Sequence, residues 1–287
     1  MKIFYLHYII FKIDIDDMGN KPLSSIIGDF RSFFYILLKR CKRTLPIAFS
    51  LLNKIKHILN TNQELKKRIL YGIAFAFVVL FVVLCGGVVY ITSVFVITLI
   101  MMTELLKIAS NIEQQNNKMF VCIRRWGLAY IISCCLSLIL IRENIQGFKI
   151  SLWMYLTVWA VDCFAYVFGK KFGNIKLAKD ISPNKTYEGA ILGSITGLFA
   201  SIIIYKIFKT DNVHGFSLVS FVIFSIIVII LAQLSDLSES LIKRQCGVKD
   251  SGTILSAHGG LLDRFDSFLI VAPFICIIVW LNGGVLF

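Results

Sequence analysis

The chain has 287 residues, of which 57% are hydrophobic and 16% charged, against roughly 25% charged in a typical soluble domain. Mean hydropathy is +0.78 and net charge is +13. These values exclude a disordered chain, a coiled coil and an ordinary cytosolic enzyme. They also exclude a nucleic-acid binder, whose basic charge would cluster on a polar, solvated face; here the apolar residues form long runs with the charge between them. The expected class is an integral membrane protein with several helices. The eight cysteines contain no Cys-x-x-Cys pair, so the usual zinc and redox spacings are absent and most of them read as small hydrophobes.

Residues 1–69 form a distinct first region. They carry 13 basic and 5 acidic residues among apolar runs too short to cross a bilayer, and read as a basic, partly amphipathic extension lying at the interface. The first apolar run ends at Lys12 and acids follow at Asp14, Asp16 and Asp17, which argues against a signal peptide; Met18 is a second candidate start.

Residues 70–287 are expected to be the membrane-embedded domain. Runs near the length a helix needs to span fall at 70–85, 88–106, 126–141, 151–168, 188–207, 216–235 and 268–287, with Gly86-Gly87 as the turn after the first. No β-barrel alternation is present, so the predicted fold is all-α and polytopic, with about seven transmembrane helices and a range of roughly six to nine. With the N-terminus in the cytoplasm, the cytoplasmic segments hold 26 Lys or Arg and the opposite loops hold 4. The net charge is then explained by topology and by contact with anionic lipid. Gly189, Gly193 and Gly197 recur every fourth residue, the small-residue spacing that lets membrane helices pack closely.

Two segments on the predicted cytoplasmic side carry candidate chemistry. The first begins inside a span at Asp162, with Tyr166 one turn on, and runs through Gly169, Lys170, Lys171 and Gly173 to Ser182-Pro183-Asn184-Lys185-Thr186-Tyr187-Glu188-Gly189. An ionisable residue inside a span is costly, and marks a functional position by default. Lys, Ser, Thr and free amides leading into a helix suit phosphate. The second segment places four aspartates and four cations within residues 236–266. Asp263 and Asp266 are one helical turn apart, and Asp236, Glu239 and Lys243 recur at helical spacing. Such oxygen donors suit Mg²⁺ shared with substrate phosphates, and the adjacent Lys and Arg suit the phosphates themselves. Together they suggest phosphoryl or nucleotidyl transfer to a lipid. His258 reads either as an acid–base group or as support for the Gly259-Gly260 turn.

The run Ser240-x-Ile242-Lys243-Arg244, four residues, Lys249-Asp250, then His258-Gly259-Gly260-Leu261-Leu262-Asp263-Arg264-Phe265-Asp266 resembles the signature of phosphatidate cytidylyltransferases, also called CDP-diacylglycerol synthases. The Asp162–Gly189 segment resembles that family's second block. The chain departs from the family pattern at Ser235 (usually Gly), Ser256-Ala257 (commonly Pro-Gly), Asn184 (often Lys) and Tyr187 (often Trp). The resemblance implies the conversion of CTP and phosphatidic acid to CDP-diacylglycerol and pyrophosphate at the cytoplasmic face of a bacterial inner membrane. It implies Mg²⁺ on Asp236 and Asp263, with room for a monovalent cation such as K⁺. Asp236, Asp250, Asp263, Asp266, Lys243 and His258 become the catalytic set. Ser182, Lys185, Thr186, Ser240, Arg244, Lys249, Arg264 and Asp162 become the substrate- and phosphate-binding set. The expected partners are CTP, phosphatidic acid and membrane lipids, without nucleic acid, and with room for a homodimer. The alternatives are a CTP-dependent polyprenol or phytol kinase, which would make a lipid monophosphate, and a transporter, which would carry charges deep in its spans and a repeat symmetry that the sequence lacks.

Overall fold

The computed structural model describes residues 63–112, 117–209, 215–252 and 259–287. The chain divides into two compact units, 1–81 and 82–287. The N-terminal extension expected over 1–69 lies almost wholly outside the described residues, as does His258.

The described residues are mostly helical. Helix α1 is Gln63–Cys85, α2 Gly87–Ser110, α3 Asn117–Arg142, α4 Gly147–Phe172, α5 Tyr187–Phe208 and α6 Leu218–Gln245; a single turn, α7, covers Leu262–Phe265, and α8 is Phe268–Leu281. Five helices, α2 to α6, are long and apolar enough to cross a membrane. At about 1.5 Å per residue, helices of 22 to 28 residues reach about 33–42 Å. The expected spans at 88–106, 126–141, 151–168, 188–207 and 216–235 fall on these five helices. Between α1 and α2, Gly86 and Gly87 take positive φ of 60° and 47°, as the expected turn requires. The Arg142 guanidinium occupies the space a side chain at Gly86 would need, and its Nε donates to the Val83 carbonyl at 2.9 Å.

Three features refine the expected architecture. First, the fold is not purely helical. Between α4 and α5 the chain forms an antiparallel hairpin, β1 (Lys176–Ala178) and β2 (Ser182–Thr186), with Lys176 opposite Thr186 and Ala178 opposite Ser182. Strands of three and five residues are too short for an alternation signal to show in the sequence. Second, the apolar parts of α1 (Gly72–Cys85) and of α8 are shorter than a usual span. The last expected span, 268–287, stops at Leu281 because Gly283 and Gly284 adopt φ of 65° and 86°. The Gly284 amide then bonds back to the Val279 carbonyl at 2.8 Å, closing a Schellman-type helix end. Third, α6 runs ten residues beyond the expected boundary at Ser235, so Asp236, Glu239 and Lys243 stand at helical spacing, as expected, on the last turns of that same helix.

The closest helix pairing is α4 with α5, and the glycine stripe produces it. A Cβ on Gly193 would lie 2.7 Å from the Ala165 Cβ and 2.9 Å from its backbone; one on Gly189 would lie 2.7 Å from the Ala165 carbonyl oxygen. A buried polar chain ties in α6: Trp153 Nε1 donates to Ser201 Oγ at 2.7 Å, and Ser201 and Ser225 share a hydrogen bond of 2.8 Å. At the end away from the acidic residues, the chain folds back so that the Gln146 side chain accepts from the Leu286 and Phe287 amides, each at 2.9 Å. The Phe287 ring packs among Trp153, Tyr205 and Phe221.

Gly193→Leu should force α4 and α5 apart and cost about 1–3 kcal/mol, the usual penalty of overpacking. Thermal unfolding in detergent should show a lower midpoint than that of Gly72→Leu, since a Cβ at Gly72 meets nothing within 4 Å. Equal midpoints would remove the stripe from the packing argument.

Candidate active site

The acidic and basic groups gather at one end of the bundle. That end is formed by the C-terminal turns of α2, α4 and α6, the hairpin, and the turn that joins α7 to α8. Helical spacing on α6 puts Asp236, Glu239, Ser240 and Lys243 within two turns.

Lys243 is the hub. Its buried ammonium lies 2.5 Å from Glu239 Oε2, one turn back on α6, and 2.6 Å from Asp263 Oδ1 on α7. Asp263 is further gripped by backbone: the Ser251 amide donates to Oδ2 at 2.9 Å and to Oδ1 at 3.2 Å, and the Gly260 amide to Oδ2 at 2.8 Å. Burial raises the Asp263 pKa, but Lys243 and these amides outweigh burial and hold the carboxyl below the ordinary range. Gly259 has φ of 77°, and a side chain there would collide with the Asp263 carboxylate. The Gly259-Gly260 pair therefore lets the backbone wrap around Asp263.

A second group surrounds Asp266. Its Oδ1 accepts from the Ser267 amide at 2.6 Å, and Ser267 Oγ donates to Asp162 Oδ2 at 3.3 Å. Burial first, and then the charges of Asp236, Glu239 and Asp162, push the Asp266 carboxyl well above its usual value. Asp236 is paired with Lys185 of β2 at 2.5 Å.

The remaining predicted residues take clear places. Thr186 is 4% exposed and acts as the N-cap of α5, accepting from the Gly189 amide at 3.2 Å. Arg244 braces the hairpin, donating through Nε to the Ile181 carbonyl at 3.0 Å and through Nη1 to Val248 at 3.2 Å. Ser240 lies 3.5 Å from Asp236 Oδ1, and Ser182 opens β2. Lys249 and Asp250 are exposed beyond α6, and Arg264 is half-buried on α7 beside Asp263. Tyr166 is exposed. Ser235, where the family pattern has Gly, is fully buried: its hydroxyl donates to the Asp266 carbonyl and accepts from the Ile270 amide, locking α6 to the start of α8.

Two acidic residues were missing from the predicted set. Glu239, which the sequence marks only by its spacing, lies 2.5 Å from the Lys243 ammonium. Glu104, on α2, is 2% exposed and accepts from the Leu261 and Leu262 amides at 2.9 and 2.8 Å and from Ser251 Oγ at 3.2 Å. A glutamate inside the apolar run 88–106 was the signal that could have found it.

Among the described residues, no three acidic, imidazole or thiolate groups close on one point to ligate a metal. Asp236 and Asp263, the two expected ligands, each hold a lysine ammonium. The donor chemistry nonetheless fits a hard divalent cation. The donors are carboxylate oxygens, and around Asp266 their mutual charge is under-compensated.

The model of the cytidylyltransferase family matches residues 113–282. That stretch holds every site residue named above except Glu104. A protein of Rickettsia prowazekii (strain Madrid E) named phosphatidate cytidylyltransferase is 32% identical over 230 residues, covering 79% of this chain and 97% of the relative. Proteins with the same name are 40% identical over 133 residues in Haemophilus influenzae, covering 46% of each chain, and 46% identical over 134 residues in Staphylococcus haemolyticus, covering 47% of this chain and 50% of the relative. The match thus spans nearly the whole Rickettsia protein and about half the length of the other two. On the extent of these matches, the chain belongs to the cytidylyltransferase family.

Proposed function

We infer that the protein is a membrane-embedded phosphatidate cytidylyltransferase, joining CTP and phosphatidic acid to give CDP-diacylglycerol and pyrophosphate for phospholipid synthesis. The observation that carries this reading is the paired set Lys185–Asp236 and Glu239–Lys243–Asp263, which stands beside Asp162 and Asp266 within the family-matched stretch. Ammonium groups are also strong, charge-assisted donors to phosphate oxygens.

An oxygen of the phosphatidate phosphate attacks the α-phosphorus of CTP. A new P–O bond forms, the bond to the β-phosphate breaks, and the electron pair leaves on pyrophosphate. The attacking phosphate is already anionic, so no strong base is required. Lys185, Lys243 and Arg264 hold phosphates, while Arg244 keeps the hairpin and Lys185 in place. A divalent ion such as Mg²⁺, with Asp236 and Asp263 as ligands and Asp162 and Asp266 beside them, supplies charge neutralisation on the attacking and leaving groups when bound. A monovalent cation such as K⁺ has the same acidic group available to it.

The site end of the bundle faces the cytoplasm of a bacterial inner membrane. This orientation is supported by the 26-to-4 distribution of Lys and Arg and by the need to meet a water-soluble nucleotide at the membrane face. With the short helices α1 and α8 counted, the spans number seven.

Purified protein in detergent with phosphatidic acid, labelled CTP and Mg²⁺ should form CDP-diacylglycerol. Asp236→Asn and Asp263→Asn should each lower turnover by about a hundredfold or more, the scale of losing charge stabilisation in the transition state. A labelled lipid monophosphate from γ-labelled CTP and a polyprenol, with no CDP-lipid, would move the reading to a lipid kinase.

Mg²⁺ binding has a readout that needs no turnover. Titrating Mg²⁺ should raise the thermal midpoint of the wild type, because a ligand that binds only the folded state stabilises it. Asp236→Asn should lose that rise. An equal rise in both proteins would take Asp236 out of the ion site.

A further inference from the structure

Glu104 lies outside the family-matched stretch, yet it touches the chain on both sides of residues 252–260, just after Asp250 and just before Asp263. On one flank it accepts from the Ser251 hydroxyl; on the other it accepts from the consecutive amides of Leu261 and Leu262. The backbone is shaped to it on both sides. A Cβ on Gly252 would lie 2.7 Å from Glu104 Oε1, and one on Gly260 would lie 2.6 Å from each Glu104 oxygen. Neither position has room for a side chain while the carboxylate is there.

The same two flanks hold Asp263. The Ser251 amide bonds Asp263 while the Ser251 hydroxyl bonds Glu104, and the Gly260 amide bonds Asp263 while the next two amides bond Glu104. Two carboxylates, one on α2 and one on α7, thus share a single frame of donors.

We propose that Glu104 is a positioning residue for the transferase centre: a buried anionic post on α2 that fixes the Ser251–Gly252 and Gly260–Leu262 backbone, and through it the placement of Asp263 against Lys243. The proposal rests on the functional reading above. A carboxylate is the group required, because both oxygens face donors. Glutamine keeps the shape but turns an NH₂ toward a backbone N–H, so one amide loses its acceptor. Aspartate is one methylene shorter, and its carboxylate stops short of the loop.

The test compares wild type, Glu104→Gln, Ser251→Ala and the double variant, all as full chains in detergent. A misplaced acid should appear in kcat: Glu104→Gln should lose about ten- to hundredfold, with KM for CTP within about threefold of wild type. Ser251→Ala removes one of the three donors to Glu104, so the double variant should lose no more than Glu104→Gln alone. Unchanged kcat, a loss carried by KM alone, or losses that multiply in the double variant would overturn the proposal. Hydrogen exchange decides the clamp independently of activity. Peptides covering 259–262 should exchange about tenfold faster or more in Glu104→Gln, with α3 and α6 unchanged; equal exchange would overturn the clamp. If the wild type makes no CDP-diacylglycerol, the functional reading falls, while the exchange result still decides whether Glu104 holds this backbone.

Discussion

Lys243 places one ammonium between two carboxylates from different parts of the chain: Glu239 on its own helix and Asp263 on the turn that leads into α8. All three side chains are mostly buried. Burying ions costs several kcal/mol each, and their mutual attraction repays this only where the geometry is good. A triad of this kind is a weak source of net stability. It is a strong constraint on position, because removing one member leaves a buried charge uncompensated at a cost of about 3–5 kcal/mol. The turn of α7 is thereby bound to the end of α6, and with it the start of α8, where the Ser235 hydroxyl makes a second tie at Asp266.

The α4–α5 pair supplies the other wall of the site. Glycines at one-turn spacing bring the two backbones within contact of Ala165 and Gly169. That approach sets Asp162 on α4, which takes the Ser267 hydroxyl, and it anchors the hairpin between the two helices. Thr186 caps α5, and Gly169 and Gly173 leave room for its side chain, since a Cβ at either would lie 3.1 or 2.5 Å from its Oγ1. The hairpin then carries Lys185 to Asp236, and Arg244 holds its turn. The apparent phosphate loop thus divides its work: Thr186 and the glycines make the local fold, and Lys185 carries the charge.

Composition alone made the membrane class legible, because apolar runs of span length leave helices as the economical solution. The paired acidic and basic segments were legible as well, since helical spacing puts Asp236, Glu239 and Lys243 on adjoining turns. The hairpin was not, because its two strands together have eight residues and no regular alternation of buried and exposed side chains. The extent of α6 was hidden because hydropathy falls at Ser235 while the helix continues, and polar side chains do not end a helix. The capping role of Thr186 was hidden because a cap and a phosphate ligand use the same residue type. The role of Glu104 was not legible because its partners, two backbone amides and the Ser251 hydroxyl, lie 147 to 158 residues away, and backbone donors have no sequence signature.

The two ends of the bundle handle buried polarity in opposite ways. At the far end, Gln146 gives both its oxygen and its nitrogen to the returning chain, and the Arg142 Nε donates to the Val83 carbonyl. These are neutral or singly charged groups meeting backbone, and nothing further is asked of them. At the site end, Asp162, Asp236, Glu239 and Asp266 crowd together, Glu239 Oε1 accepts no hydrogen bond among the described residues, and burial first, then the neighbouring carboxylates, raise the Asp266 pKa well above its usual value. A fold selected only for stability would replace such a cluster with apolar side chains of similar volume. Its presence at one end, beside cations already paired and transferable, is the pattern expected where polyphosphate and its counter-ions complete the charge balance only during the reaction.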